Sequence, residues 1–184
     1  MTDPYKLLFV CMGNICRSPA AEGVMKKMVA DASMESQIHI DSAGTGGWHS
    51  GARADHRMRA AATARGYDLT SMARQVKETD LADFDLVLVM DQQNHRDLRA
   101  FDREHVHDAK VHFFCEYCTK HDSKEVPDPY YGGEQGFENV LNLLEDGCAG
   151  LLKHMQNALS AALLKAQSEV GAQAVKIRTN LELI

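Results

Sequence analysis

No stretch of this 184-residue chain approaches the roughly 18 uninterrupted apolar residues of a membrane span, so no transmembrane helix is expected. The opening residues, Met1 to Lys6, lack the layout of a signal peptide, because Leu7 to Val10 is too short an apolar run. Positive charge is not in excess. Lys and Arg number 20 against 26 Asp and Glu, and the net charge of −6 argues against a general affinity for nucleic acid or an anionic membrane. An anionic ligand would therefore need a local positive field. Cysteine is sparse and odd in number, at five, and without a secretory layout reduced thiols in a cytoplasmic setting are expected. Nine histidines are scattered without a ligand-like repeat, and no metal or cofactor is expected. No internal repeat or low-complexity linker interrupts the chain. Its 45% hydrophobic and 25% charged residues suit one soluble domain long enough to bury a full core.

What is present alternates between two periods. Lys6-Leu7-Leu8-Phe9-Val10 is a continuous apolar run ending at Cys11-Met12-Gly13-Asn14, the pattern of a buried strand entering a loop. A helix follows, for which Ser18 suits the N-cap and Pro19 the first helical position. Ala21, Val24, Met25, Met28, Val29 and Ala32 give it an apolar stripe. Residues 38–44, 84–90 and 109–114 read as further strands. Residues 55–65 read as a helix stopped by Gly66, and 92–101 as a polar helix. From Gln135 an apolar face running from Phe137 to Leu159 marks a long helix. Strands alternating with helices imply the α/β class, with a parallel sheet covered on both faces. Ligands in such sheets bind beyond the carboxyl ends of the strands, where the first strand delivers Cys11. Residues 1–160 are expected to form the domain, and 161–184 a C-terminal extension, helical or partly disordered.

Five residues separate Cys11 from Arg17, and Ser18 follows. A Cys and an Arg at that spacing mean little alone. Here the cysteine ends a strand, Gly13 lies in the loop, and Ser18-Pro19 opens a helix. That order aims backbone N–H groups and a helix N-terminus at one point, which makes an anion site. The same field favours a thiolate over a thiol at Cys11. Arg17 offers a planar fork that can hold two phosphate oxygens. Ser18 could donate to the thiolate or cap the helix. Three of the chain's four prolines, Pro19, Pro127 and Pro129, sit beside this loop or beside Asp128, which they stiffen.

Val10-Cys11-Met12-Gly13-Asn14-Ile15-Cys16-Arg17-Ser18-Pro19 resembles the signature of the low-molecular-weight protein tyrosine phosphatases. The similarity continues through Asp41-Ser42-Ala43-Gly44, Ala73-Arg74-Gln75-Val76 and Met90-Asp91 to Asp128-Pro129-Tyr130-Tyr131-Gly132, and spans about residues 5 to 158. The resemblance implies a single three-layer domain with a four-stranded parallel sheet, order 2-1-3-4, flanked by helices. It implies hydrolysis of phosphotyrosine and small aryl phosphates through a phosphocysteine on Cys11, with Arg17 binding phosphate and Asp128 as general acid, then base. Phosphotyrosine-containing proteins and inorganic phosphate are the implied partners, and a monomer or weak dimer the implied state. Met12, Gly13, Asn14, Ile15, Cys16 and Ser18 would form the substrate loop, and Trp48, Tyr130 and Tyr131 an aromatic rim. Asn14 with Ser42 resembles a supporting hydrogen-bonded pair. Cys16 is either a small core residue or a redox partner that forms a disulfide with Cys11.

The chain departs from the family's pattern at Ser71, where a histidine is frequent, and in its extra carboxyl-terminal stretch. Arsenate reductase uses a similar loop but needs relay cysteines near the third strand, and residues 82–90 hold none. A phosphoarginine branch typically has threonine where Ile15 stands. A non-catalytic binding module would need neither Cys11 nor Asp128. Cys115-Glu116-Tyr117-Cys118, with His112 and His121 nearby, is a single CxxC and reads as incidental thiols more readily than as a zinc or redox site.

Overall fold

The structure, a computed structural model, describes the backbone of residues 3–181 and the side chains of residues 3–160. Four parallel strands, β1 (Tyr5–Cys11), β2 (Ile38–Gly44), β3 (Leu86–Val89) and β4 (Val111–Phe113), form one sheet in the order β2-β1-β3-β4. The expected α/β architecture and strand order are therefore observed. Leu7, Leu8, Phe9 and Val10 have no exposure, because a central parallel strand is covered on both faces. Alternate residues serve opposite sides. Leu8 and Val10 join Val87, Val89, Val76, Leu81, Phe84 and Leu98 in one cluster. Phe9 meets Phe114 edge to face, with ring centroids 6.0 Å apart. Each fully buried side chain of this size contributes roughly 1.5–3 kcal/mol.

The helices are α1 (Arg17–Asp31), α2 (His56–Ala64), α3 (Glu78–Asp83), α4 (Gln92–Leu98) and α5 (Glu134–Leu181). Asp55 caps α2 by accepting from Arg57 N, and Gly66 ends that region at φ +80°. Two expectations need correcting. Helix α1 starts at Arg17, and Ser18 does not cap it, since its hydroxyl is turned toward Cys11 and the Ala43 carbonyl. Pro19 accordingly lies third in the helix, still within the first turn, where a missing N–H leaves no bond unmade. The third and fourth strands are also shorter than their apolar runs. Phe84 ends α3, a six-residue helix that the pattern did not reveal.

The chain divides into two compact units, Met1–Gly150 and Leu151–Ile184, the second including the distal part of α5. The helix continues through residues 161–181, and the side chains of the expected extension lie outside the described residues. Among the described residues no helix is long and apolar enough to cross a membrane.

Candidate active site

Strand β1 has β2 on one side and β3 on the other, so its carboxyl end is the switch point of the sheet. The loop of residues 12–16 leaves from there. Its carbonyls are anchored from outside: Thr45 N donates to Cys11 O (2.9 Å), Gly46 N to Met12 O (2.8 Å) and Asp55 N to Ile15 O (2.7 Å). Gly44, paired with Cys11 across the sheet, permits this close approach. A Cβ there would lie 2.8 Å from Met12 O and 3.1 Å from Asn14 N. Asn14 takes the turn itself at φ +53°, a left-handed conformation that asparagine tolerates better than most residues.

A buried hydrogen-bond chain underlies the loop. Cys11 Sγ lies 3.0 Å from Ser18 Oγ. Asn14 Nδ2 donates to Ser18 Oγ and to Ser42 Oγ, each at 2.9 Å, and Asn14 Oδ1 accepts from Arg74 N at 2.9 Å. Ser42 Oγ donates in turn to Glu22 Oε2 at 2.5 Å. Glu22 is only 3% exposed, and Lys26, one turn along α1, neutralises it from the surface. Every polar atom of the Asn14 side chain is thereby satisfied, as burial demands.

Arg17 is 2% exposed, and its guanidinium makes three hydrogen bonds. Nη1 donates to Asp91 and to Val126 O (3.1 Å), and Nη2 donates to Asp128 Oδ2 (2.9 Å). Burial works against its charge, but Cys11, Asp128 and Asp91 outweigh it and hold its pKa above the ordinary value. Asp91 also caps α4 by accepting from Asn94 N (2.7 Å), so helix and guanidinium share one carboxylate. For Cys16 the shift is upward, first from burial and then from Asp55, Cys11 and Asp128, so it stays a neutral thiol.

Above the loop opens a cleft of about 330 Å³. Met12, Gly13, Ile15, Cys16 and Arg17 line its floor, and Trp48, His49, Asp128, Tyr130 and Tyr131 form its walls. Trp48 and Tyr131 are 67% and 96% exposed, so they belong to a rim and not to the core. The Trp48 ring folds over Gly46, where a Cβ would fall 1.9 Å from it. Tyr130 is held from behind. Arg57 stacks on its ring at 5.3 Å and on Phe137 at 4.8 Å, while Asp55 grips the guanidinium through Nε (3.0 Å) and Nη2 (2.9 Å).

Residues 6–161 match the family model described as low molecular weight phosphotyrosine protein phosphatase. The chain belongs to that family. A low molecular weight protein-tyrosine-phosphatase of Streptomyces coelicolor is 43% identical over 150 residues, covering 80% of this chain and 92% of its own. The human low molecular weight phosphotyrosine protein phosphatase is 36% identical over 148 residues, covering 80% and 93%. Among solved structures, a protein tyrosine phosphatase from Entamoeba histolytica, with Hepes in its active site, is 42% identical. It superposes with a TM-score of 0.79, covering 84% of this chain and 98% of its own.

In this member of the low-molecular-weight phosphatases, the fold brings together the residues assigned to the site from sequence. Seven of them, Met12, Gly13, Ile15, Cys16, Trp48, Tyr130 and Tyr131, line the cleft together with Arg17 and Asp128. Cys11, Asn14, Ser18 and Ser42 make up the hydrogen-bond chain beneath. Several contributors, His49 and Asp55 among them, were not assigned a role from sequence. Asp91 and Arg74 were read only as parts of motifs, and Glu22 and Arg57 not at all. Glu22 and Arg57 carry a readable trace only in retrospect, as the i,i+4 Glu22–Lys26 pair and the Asp55-x-Arg57 spacing at a helix start.

Proposed function

We propose that the chain hydrolyses phosphotyrosine and small aryl phosphates by a two-step displacement on Cys11. The observation that carries this reading is the placement of Cys11 Sγ, 3.0 Å from the Ser18 hydroxyl, below a cleft that Arg17 and Asp128 both line. Ser18 Oγ–H stabilises the thiolate by a charge-assisted bond. The thiolate attacks phosphorus while Asp128 protonates the departing phenolic oxygen, which leaves a phosphocysteine. Asp128 then takes a proton from water as that water attacks phosphorus, and the S–P bond breaks to return the thiolate. Arg17 and the loop amides hold the equatorial oxygens through both steps.

The anchored carbonyls of Cys11, Met12 and Ile15 support the amide role, since they fix the loop's peptide planes before substrate arrives. Trp48, Tyr130 and Tyr131 support an aromatic substrate, because their rings can sandwich a phenyl group but gain less from a flexible alkyl chain. The phosphatase domain is taken as residues 1–160, acting on tyrosine-phosphorylated proteins in the cytoplasm. The test is hydrolysis of a phosphotyrosine peptide with chelator present, set beside phosphoarginine hydrolysis and thiol-coupled arsenate reduction. Vanadate-sensitive turnover of the peptide above both alternatives is the expected result. Preference for phosphoarginine or arsenate would overturn the assignment.

A further inference from the structure

A second pair of thiols lies outside the cleft. Cys115 lies within the 3₁₀ turn Phe114–Tyr117 and Cys118 follows it, with Cys118 N donating to Cys115 O at 3.1 Å. A turn closed in this way keeps its end Cα atoms within about 7 Å. A disulfide needs Cα atoms roughly 4.4–6.8 Å apart and side chains that face each other. Cys118 Sγ donates to Leu143 O at 3.8 Å, and it lies near enough to Cys115 for each thiol to be the main influence on the other's titration. That proximity is what the spacing in the sequence could not show. The pair is asymmetric. Cys115 is 8% exposed, and Cys118 is half-buried. The neighbouring Cys115 lowers the pKa of Cys118 against the opposing effects of burial and Asp146, while Cys115 itself is raised. The histidines that could complete a zinc site are turned to carboxylates, His112 to Glu116 (3.2 Å) and His121 to Asp146 (3.0 Å).

We propose that Cys115 and Cys118 are a second redox site, a dithiol that a hydroperoxide oxidises to a disulfide independently of Cys11 and Cys16. Cys118 is the attacking sulfur and Cys115 the resolving one. The Cys118 thiolate attacks the terminal peroxide oxygen, an S–O bond forms as the O–O bond breaks, and the departing alkoxide or hydroxide is protonated. Cys118 is then a sulfenic acid. Cys115 sulfur attacks it, the S–O bond breaks, and the released hydroxide leaves as water with the Cys115 proton. Two thiols lose two electrons, and one peroxide becomes an alcohol or water plus a second water. The site stands beside the stretch that leads to Asp128. Cys115 borders a hollow with Glu125, whose carboxylate accepts from Gln92 N at 3.0 Å, next to the Val126 carbonyl that Arg17 holds.

The experiment uses the full chain carrying Cys11→Ser and Cys16→Ser, treated with hydrogen peroxide, alkylated and mapped by mass spectrometry. The expected product is a peptide holding Cys115 and Cys118 that resists alkylation, is lighter by two hydrogens and is restored by dithiothreitol. Adding Cys115→Ser should leave a sulfenic acid on Cys118 that dimedone traps, whereas adding Cys118→Ser should leave Cys115 unreactive. In the parent chain, which needs no variant to fold, iodoacetamide should modify Cys118 at least several-fold faster than Cys115. A Cys118 sulfinic acid formed with Cys115 still free, equal alkylation rates, or two thiols untouched by peroxide would each overturn the proposal.

Discussion

Arg17 Nη2 stands 2.9 Å from Asp128 Oδ2, joining the start of α1 to a residue 111 positions further along the chain. The other arm of the same guanidinium is fixed by Asp91 and Val126 O. The proposed phosphate ligand and the proposed proton donor are therefore one mechanical unit, with its plane set by the amino end of α4.

Replacing Arg17 by lysine keeps the charge and loses the fork. One ammonium cannot meet Asp91, Val126 O and Asp128 while also binding two phosphate oxygens. We expect kcat for phosphotyrosine to fall roughly 100- to 1000-fold, measured beside an unchanged far-ultraviolet dichroism spectrum. Activity close to that of the parent would show that bidentate binding is unnecessary.

Asp128→Asn separates acid catalysis from binding. Phosphotyrosine hydrolysis should slow by roughly 10²- to 10⁴-fold, because a phenolate of ordinary basicity must leave unprotonated. With a dinitrophenyl phosphate, whose leaving group needs no proton, the loss should shrink markedly. An equal loss on both substrates would assign Asp128 a purely structural part.

Asn14 combines a left-handed backbone with three hydrogen bonds. Glycine at this position retains the first and loses the second, while alanine loses both. Asn14→Ala should be less stable than Asn14→Gly by roughly 1 kcal/mol, read from urea midpoints, and both should lose activity to a similar degree. Alanine matching glycine in stability would mean that the loop relaxes out of its positive φ.

Asp146 makes acid sensitivity specific. Its side chain is 2% exposed. Burial opposes its charge, but Lys120 N, His121 and both donors of Thr119 bind the carboxylate and hold its pKa well below the usual range. A depressed acid stabilises the fold above its unfolded pKa, about 3.9, and that contribution fades as pH falls toward the folded value. Asp146→Asn should cost roughly 1.5–3 kcal/mol at neutral pH and flatten the decline of melting temperature below pH 4. A parallel decline in parent and variant would place the acid sensitivity elsewhere.

The parts of the site that are contiguous in sequence were legible there. Strand β1, the loop and the start of α1 lie within residues 5–19, and their order alone implies an anion cradle. The Pro127-Asp128-Pro129 loop stood out because proline is scarce. What was not legible depends on contacts between distant segments. Glu22 looks like a solvated helix residue until Ser42, 20 positions away, is placed against it. Asp91 meets Arg17 across 74 positions. For Ser18 the sequence left two readings, helix cap or partner of the thiolate, and only the fold shows that its hydroxyl meets the sulfur of Cys11 and does not cap the helix. Helix α3 escaped because six residues are too few to display a period.

A rapid-quench turnover with a phosphotyrosine peptide carrying labelled phosphorus, followed by peptide mapping under conditions that spare thiophosphate, tests the nucleophile most directly. The label should appear transiently on the peptide containing Cys11 and persist longer in Asp128→Asn, whose second step lacks its base. Label on any other residue, or turnover without a labelled protein in both forms, would contradict the displacement described here.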